Sequence, residues 1–198
     1  MNKHYGFDLK KFISLAAILM TTNCVLGIAP LNILPALSQP VLAQEDPLAK
    51  GMKKLEQGGY HEAIAAFSEA ARLYPNLPQP YVGRASSYLL LEKPQQALED
   101  CNQAIRLDPS NIDLYSLRGF VYIMLLNPQK ALEDFNQVIR LDPSSGDGYA
   151  GRGIAYGILS NQKKATEDIQ KAMTIYEQQG KTEEIKKFKE NFSQFLEI

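Results

Sequence analysis

The chain repeats itself every 34 residues, and no other feature narrows its fold as much. Residues 97–110 read ALEDCNQAIRLDPS and residues 131–144 read ALEDFNQVIRLDPS, identical at 12 of 14 positions. The same spacing relates Pro75, Pro109 and Pro143, and also Ala63, Ala97, Ala131 and Ala165. Tyr81, Tyr115 and Tyr149 share it, as do Tyr88, Tyr122 and Tyr156. Such a period belongs to stacked-repeat architectures, in which one unit cannot bury its apolar face alone and does so against its neighbours. The useful question for such a chain is which partner its joint surface holds.

Four units follow from the register: 44–77, 78–111, 112–145 and 146–179. Each reads as two helices. In the third, residues 112–125 are apolar on a helical period until Asn127-Pro128 intervenes, a good cap followed by a good first helical residue. Lys93-Pro94 and Gly58-Gly59 punctuate the second and first units at equivalent places. Pro75, Pro109 and Pro143 stop the second helices, because proline cannot continue the hydrogen-bond ladder. The fourth unit has Glu177 there, so its second helix is expected to run on towards Gly180. Small residues fall at the eighth position of each unit (Gly51, Ala85, Gly119, Gly153) and at the twentieth, allowing the two helices to approach. Large residues at the fourth, eleventh and twenty-fourth, such as Tyr115, Tyr122 and Phe135, are expected to fill the space beside them.

Residues 1–43 stand outside the period. Lys10 and Lys11 precede a mostly apolar run over 12–29, and Val41-Leu42-Ala43 supplies short residues before a cut at Gln44. This is the three-part layout of a secretory signal, which places the mature chain in the periplasm, a lumen or the extracellular space. The stretch PALSQPVLAQ is similar in style to the export signals of cyanobacteria. The alternative is an uncleaved membrane anchor, weakened by Thr21, Thr22 and Asn23 inside an 18-residue run. Cys24 does not make a lipoprotein site, since Thr21 and Asn23 stand where a leucine and a small residue belong.

Beyond the leader the chain carries 18 basic and 21 acidic side chains, which gives no electrostatic footprint for nucleic acid. Two cysteines and two histidines in unrelated places make neither a disulfide framework nor a metal set. No catalytic constellation or cofactor motif is present. His61 opens a second helix beside Glu62 and reads as solvent-facing. Glu99-Asp100, Glu133-Asp134 and Glu167-Asp168 are neighbours in sequence, but adjacent helical positions diverge by about 100° and cannot converge on one substrate. One polar ladder is informative. Arg84, Arg118 and Arg152 share the seventh position, and Asp100, Asp134 and Asp168 the twenty-third. The first unit has Lys50 and Ala66, so the two partners vanish together. Each arginine is expected to pair with the aspartate of its own unit; the alternative is an arginine row for an acidic peptide.

The pattern of an aromatic residue, then Gly or Ala, then Tyr, followed by Ala, an aromatic, Ala and Pro, resembles the tetratricopeptide repeat (TPR) family over residues 44–179. Pro47 and Lys54 in the first unit, Cys101 in the second and Ile169 in the fourth depart from it. The resemblance implies an all-α fold, a right-handed α-solenoid of four helix pairs, and a non-enzymatic adaptor that needs no cofactor. Its ligand-facing residues lie near positions 2, 5, 9, 12 and 13 of the first helices. Carried onto this chain, these give a candidate groove of Met52, Leu55, Val82, Ser86, Leu89, Leu90, Phe120, Ile123, Met124, Ile154 and Ile158. That stripe is apolar, and Asp113, Ser116 and Phe120 replace the Lys, Asn and Arg with which TPR domains clamp chaperone tails. The expected partner is a protein presenting a peptide or helix, with self-association as the alternative and a membrane only if the leader is uncleaved. Beyond Gly180, residues 182–198 read as one more helix, with Ile185, Phe188, Phe192, Phe195 and Leu196 on one face. Thr182 is expected to cap that helix, and the helix to cover the last repeat.

Overall fold

A computed structural model of the protein describes residues 45–182 and 185–186. The leader, its expected cut after Ala43, and most of the expected terminal helix lie outside the described residues. Among the described residues there are eight helices and no strand, arranged as consecutive helix pairs of the kind from which α-solenoids are built. The pairs are α1 (Pro47–Glu56) with α2 (Tyr60–Leu73), and α3 (Gln79–Leu90) with α4 (Pro94–Leu107). They continue as α5 (Ile112–Met124) with α6 (Pro128–Leu141), and α7 (Gly146–Ile158) with α8 (Gln162–Gln178).

Local chemistry sets the ends. Pro47, Pro94 and Pro128 stand in the first turn of α1, α4 and α6, where a missing N–H costs nothing. The side chains of Asn127, Ser145 and Asn161 accept from the backbone N–H of Lys130 (3.3 Å), Gly148 (3.1 Å) and Lys164 (3.3 Å). Helices α2, α4 and α6 stop two residues short of Pro75, Pro109 and Pro143.

Every first helix passes to its second through one turn. The N–H groups of Gly59, Lys93, Asn127 and Asn161 donate to the carbonyls of Lys54, Tyr88, Tyr122 and Tyr156 at 2.8–2.9 Å. The residue before each donor (Gly58, Glu92, Leu126, Ser160) has a positive φ. The exit from α8 has the same form, with Lys181 N–H donating to the Tyr176 carbonyl at 3.0 Å and Gly180 at φ +68. The Thr182 hydroxyl donates to the Gly180 carbonyl at 3.4 Å, and Ile185 N–H donates to the Lys181 carbonyl at 3.2 Å; the helix that Thr182 is expected to cap lies mostly outside the described residues.

The chain divides into two compact units, residues 45–114 and residues from 115 onward. In the first, the Phe67 ring on α2 lies against Gly51 of α1 and Gly83 of α3. A methyl group on Gly51 would stand 2.6 Å from a ring carbon, and one on Gly83 would stand closer still. In the second unit Phe135 on α6 meets Gly119 of α5 and Gly151 of α7 in the same way. Both rings are almost completely buried. Tyr115 and Tyr122, expected as fillers beside Phe135, are instead half-buried, with the Arg118 guanidinium carbon 5.8 and 5.9 Å from their ring centroids. Phenylalanine, without a polar end, takes the interior, and the tyrosines keep their hydroxyls at the edge.

Candidate functional site

The arginines at position seven and aspartates at position twenty-three meet in a two-pronged fork. Arg84 donates through Nε (2.8 Å) and Nη2 (2.6 Å) to the two carboxylate oxygens of Asp100. Arg118 does the same to Asp134 at 2.9 and 2.7 Å, and Arg152 to Asp168 at 2.7 and 2.8 Å. The aspartates are buried. Burial raises the Asp100 and Asp134 carboxyls from their ordinary value, against the opposing pull of their arginines. The hydrogen bonds to Asp100 and Asp168 push the Arg84 and Arg152 guanidiniums up. The third nitrogen adds a link that sequence spacing did not suggest. Arg84 Nη1 reaches back to Ser68 Oγ of the preceding repeat at 3.1 Å, and Arg152 Nη1 to Asn136 Oδ1 at 2.8 Å. All three nitrogens of Arg84 and Arg152 are thereby engaged inside the fold, which removes these two from an arginine row for an acidic peptide.

The eleven groove candidates fall into two groups. Leu55, Val82, Ser86, Leu89, Phe120, Ile123 and Ile154 are buried. Phe120 sets its ring edge-on to Phe135, centroids 5.1 Å apart at 77°, and so belongs to the packing of α5 on α6. Leu55 joins Ala63 and Phe67 in a core cluster. Ser86 is fully covered, and its hydroxyl makes no hydrogen bond among the described residues. The groove reading fails for these seven as direct contacts, because a helix in a tight pair turns more of its surface inward than a stripe counted at fixed positions allows. Met52, Leu90, Met124 and Ile158 remain half-buried, one on each first helix. Met52 and Leu90 lean on the Leu55–Phe67 cluster with one side.

Two sets of residues escaped the sequence reading. Gly83 and Gly151, at position six, receive the phenylalanine of the repeat before; their coincidence with Phe67 and Phe135 was the available signal. Leu126 and Leu159 stand exposed in the turns between first and second helices, at 64% and 37%. Spacing treats such turns as punctuation and gives no hint that leucine there would face solvent.

Asp100 is turned inward to Arg84 while Glu99 is exposed, so the adjacent acids diverge. His61 is exposed and Cys101 buried. Among the described residues no three His, Cys, Asp or Glu side chains gather as a metal set would.

Two tetratricopeptide repeat family models match the chain, over residues 78–111 and 112–145. No curated protein matches it in sequence. Among solved structures it is similar to the first TPR of Spaghetti (RPAP3) bound to an HSP90 peptide, at 31% identity and a TM-score of 0.56. That alignment covers 58% of this chain and 90% of the other. The first TPR domain of human RPAP3 aligns at 29% identity and a TM-score of 0.56, covering 60% and 94%. MamA shares the fold, at 23% identity and a TM-score of 0.60 over 74% and 94%.

Proposed function

We propose that this chain, which belongs to the tetratricopeptide repeat family, works as a non-enzymatic adaptor that holds a segment of another protein against its first helices. One observation carries the reading: each first helix keeps an apolar groove candidate half open to solvent. These are Met52 and Leu90 in one unit, and Met124 and Ile158 in the other. Methionine adapts its shape to many apolar partners, and such positions cost little stability while offering contact area. The Spaghetti TPR with its HSP90 peptide supports peptide capture as the mode. A carboxylate clamp is disfavoured, because Asp113, Ser116 and Phe120 stand where such clamps place Lys, Asn and Arg. An apolar peptide or helix fits this chain better than an acidic tail.

The leader supports export, with a mature chain from Gln44 acting on an envelope or membrane-associated complex. Intact mass from the native host should start at Gln44; Met1 retained in a membrane fraction would favour the anchor. The turn at Gly180 supports a terminal helix that covers α8, since it repeats the hairpin turn four times used upstream.

To test binding, Met124→Lys with Ile158→Lys in the full chain should leave helicity and melting unchanged and weaken capture of the native partner at least tenfold, the scale of a central contact. Normal capture by a folded variant would place the site elsewhere. Concentration-dependent mass in light scattering that disappears in the same variant would favour self-association.

A further inference from the structure

The turns that join first to second helices share one backbone but not one surface. Gly58, Glu92, Leu126 and Ser160 all have positive φ, at 77, 55, 54 and 58°. Glycine adopts this conformation freely and a leucine does not. Leu126 is nonetheless 64% exposed, so neither backbone preference nor packing accounts for a leucine at the apex of this turn. In the next repeat Leu159 is exposed beside Ser160. Helices α5 and α7 both lie against Phe135, through Gly119 and Gly151, which sets their C-terminal turns at the same end of this unit.

Charge accompanies the leucines. Lys130, Lys163 and Lys164 are exposed on the turns' second-helix sides. No acid occurs in residues 124–132 or 157–166; Glu133 and Glu167 come one step further along α6 and α8. The opposite end of the unit carries an exposed leucine too, Leu141, but beside the acids Asp142 and Asp147. In the other unit the position of Leu126 holds Gly58 and Glu92, and the position of Leu159 holds Gln57 and the half-buried Leu91.

We propose that this edge, with Leu126 and Leu159 at its apex and Lys130, Lys163 and Lys164 behind them, seats on an anionic lipid surface. The leucines enter the headgroup boundary while the lysine stems extend towards phosphates. A protruding apex favours this over a peptide, which takes a concave site with pockets for its side chains. The contact is interfacial, as no helix among the described residues is long and apolar enough to cross a bilayer. This goes beyond partner capture and uses other residues.

The chain contains no tryptophan, so Leu126→Trp provides a reporter at the apex alone. Full-length Leu126→Trp is mixed with vesicles of phosphatidylglycerol and phosphatidylcholine, with phosphatidylcholine vesicles as comparison. Full-length Glu92→Trp reports the equivalent turn in the other unit. Emission of Leu126→Trp should shift to the blue on the anionic vesicles and be quenched by brominated acyl chains. High salt should reverse the shift. Adding Lys163→Gln should weaken the titration about fivefold, the usual contribution of one lysine near such a surface. Unchanged emission would overturn the proposal even if the leader holds the chain on the vesicle. Equal response to neutral vesicles, or equal quenching at Glu92→Trp, would overturn it too. A blue shift that grows with protein concentration in the absence of lipid would assign the edge to a second copy instead.

Discussion

The two units close their internal junctions with the same parts, and differ in the repeat that leads each one. In residues 45–114 the junction is Phe67 between Gly51 and Gly83, with Arg84 forked onto Asp100 and reaching back to Ser68. From residue 115 onward it is Phe135 between Gly119 and Gly151, with Arg152 forked onto Asp168 and reaching back to Asn136. The leading repeats part company. Arg118 and Asp134 form an ion pair within one, while the other has Lys50 and a buried Ala66. A helix pair can thus close without the ion pair if an apolar residue replaces the acid. Burying two charges costs nearly as much as their attraction returns, so exchanging the pair for methyl surface is close to neutral. What recurs at both junctions is the arginine that also holds the repeat before it.

The largest expected effects come from breaking the shared parts. Phe67→Ala and Phe135→Ala should each cost about 3–5 kcal/mol in urea unfolding, by loss of buried surface and the cavity left behind. Near-equal costs would support two copies of one device, and a cost below about 1 kcal/mol at either site would end the equivalence.

Arg84→Met leaves the Asp100 carboxylate buried without its cation and should cost about 3–5 kcal/mol at neutral pH, whereas Lys50→Met should stay within about 0.5 kcal/mol. The pH dependence rests on the raised carboxyl of Asp100. Its folded form holds a proton more tightly than its unfolded form, and the variant loses the opposing pull of Arg84. Stability is then highest below the unfolded value and falls as pH rises through the folded one. Urea midpoints of Arg84→Met should therefore move towards wild type as pH drops to about 4, the ordinary carboxylate range. A penalty unchanged over that range would mean that lost packing, not the stranded charge, destabilises the variant.

Smaller costs are expected at the position-six glycines. Gly83→Ala and Gly151→Ala drive a methyl group into a phenylalanine ring and should cost about 1–3 kcal/mol. Phe67→Leu and Phe135→Leu in the respective backgrounds should recover part of that loss. Absence of recovery at both would show that the strain lies in the helix backbone.

The smallest effect should come from equipping the first repeat like the third. Lys50→Arg with Ala66→Asp should change stability by under about 1 kcal/mol, because that arginine finds no preceding repeat to hold. A gain as large as the loss in Arg84→Met would place the stabilisation in the fork itself.

Much of this was legible in one chain because the repeat supplied its own comparison. Period, helix pairs and the alanines at position twenty emerge from residues recurring 34 apart. The arginine and the aspartate are absent from the same repeat, which ties them together before any distance is known. The groove was only partly legible. Phe120 and Met124 lie one turn apart on α5 and look equivalent as a stripe, yet Phe120 is taken up by Phe135 and Met124 is not.

By itself the sequence determined what depends on neighbours along the chain: where helices begin at Pro94 or Pro128, where they stop before Pro109 or Pro143, and which residue types recur on each face. Hydrogen-bond ladders, caps and proline geometry act within a few residues, so a string of letters carries them. Only the tertiary structure decided which side of each first helix is consumed by packing, that Gly83 and Gly151 receive a phenylalanine from the repeat before, and that Leu126 stands in solvent. These depend on the depth to which two helices interlock. That depth is set by the summed volumes of side chains from separate repeats, and no local window contains them.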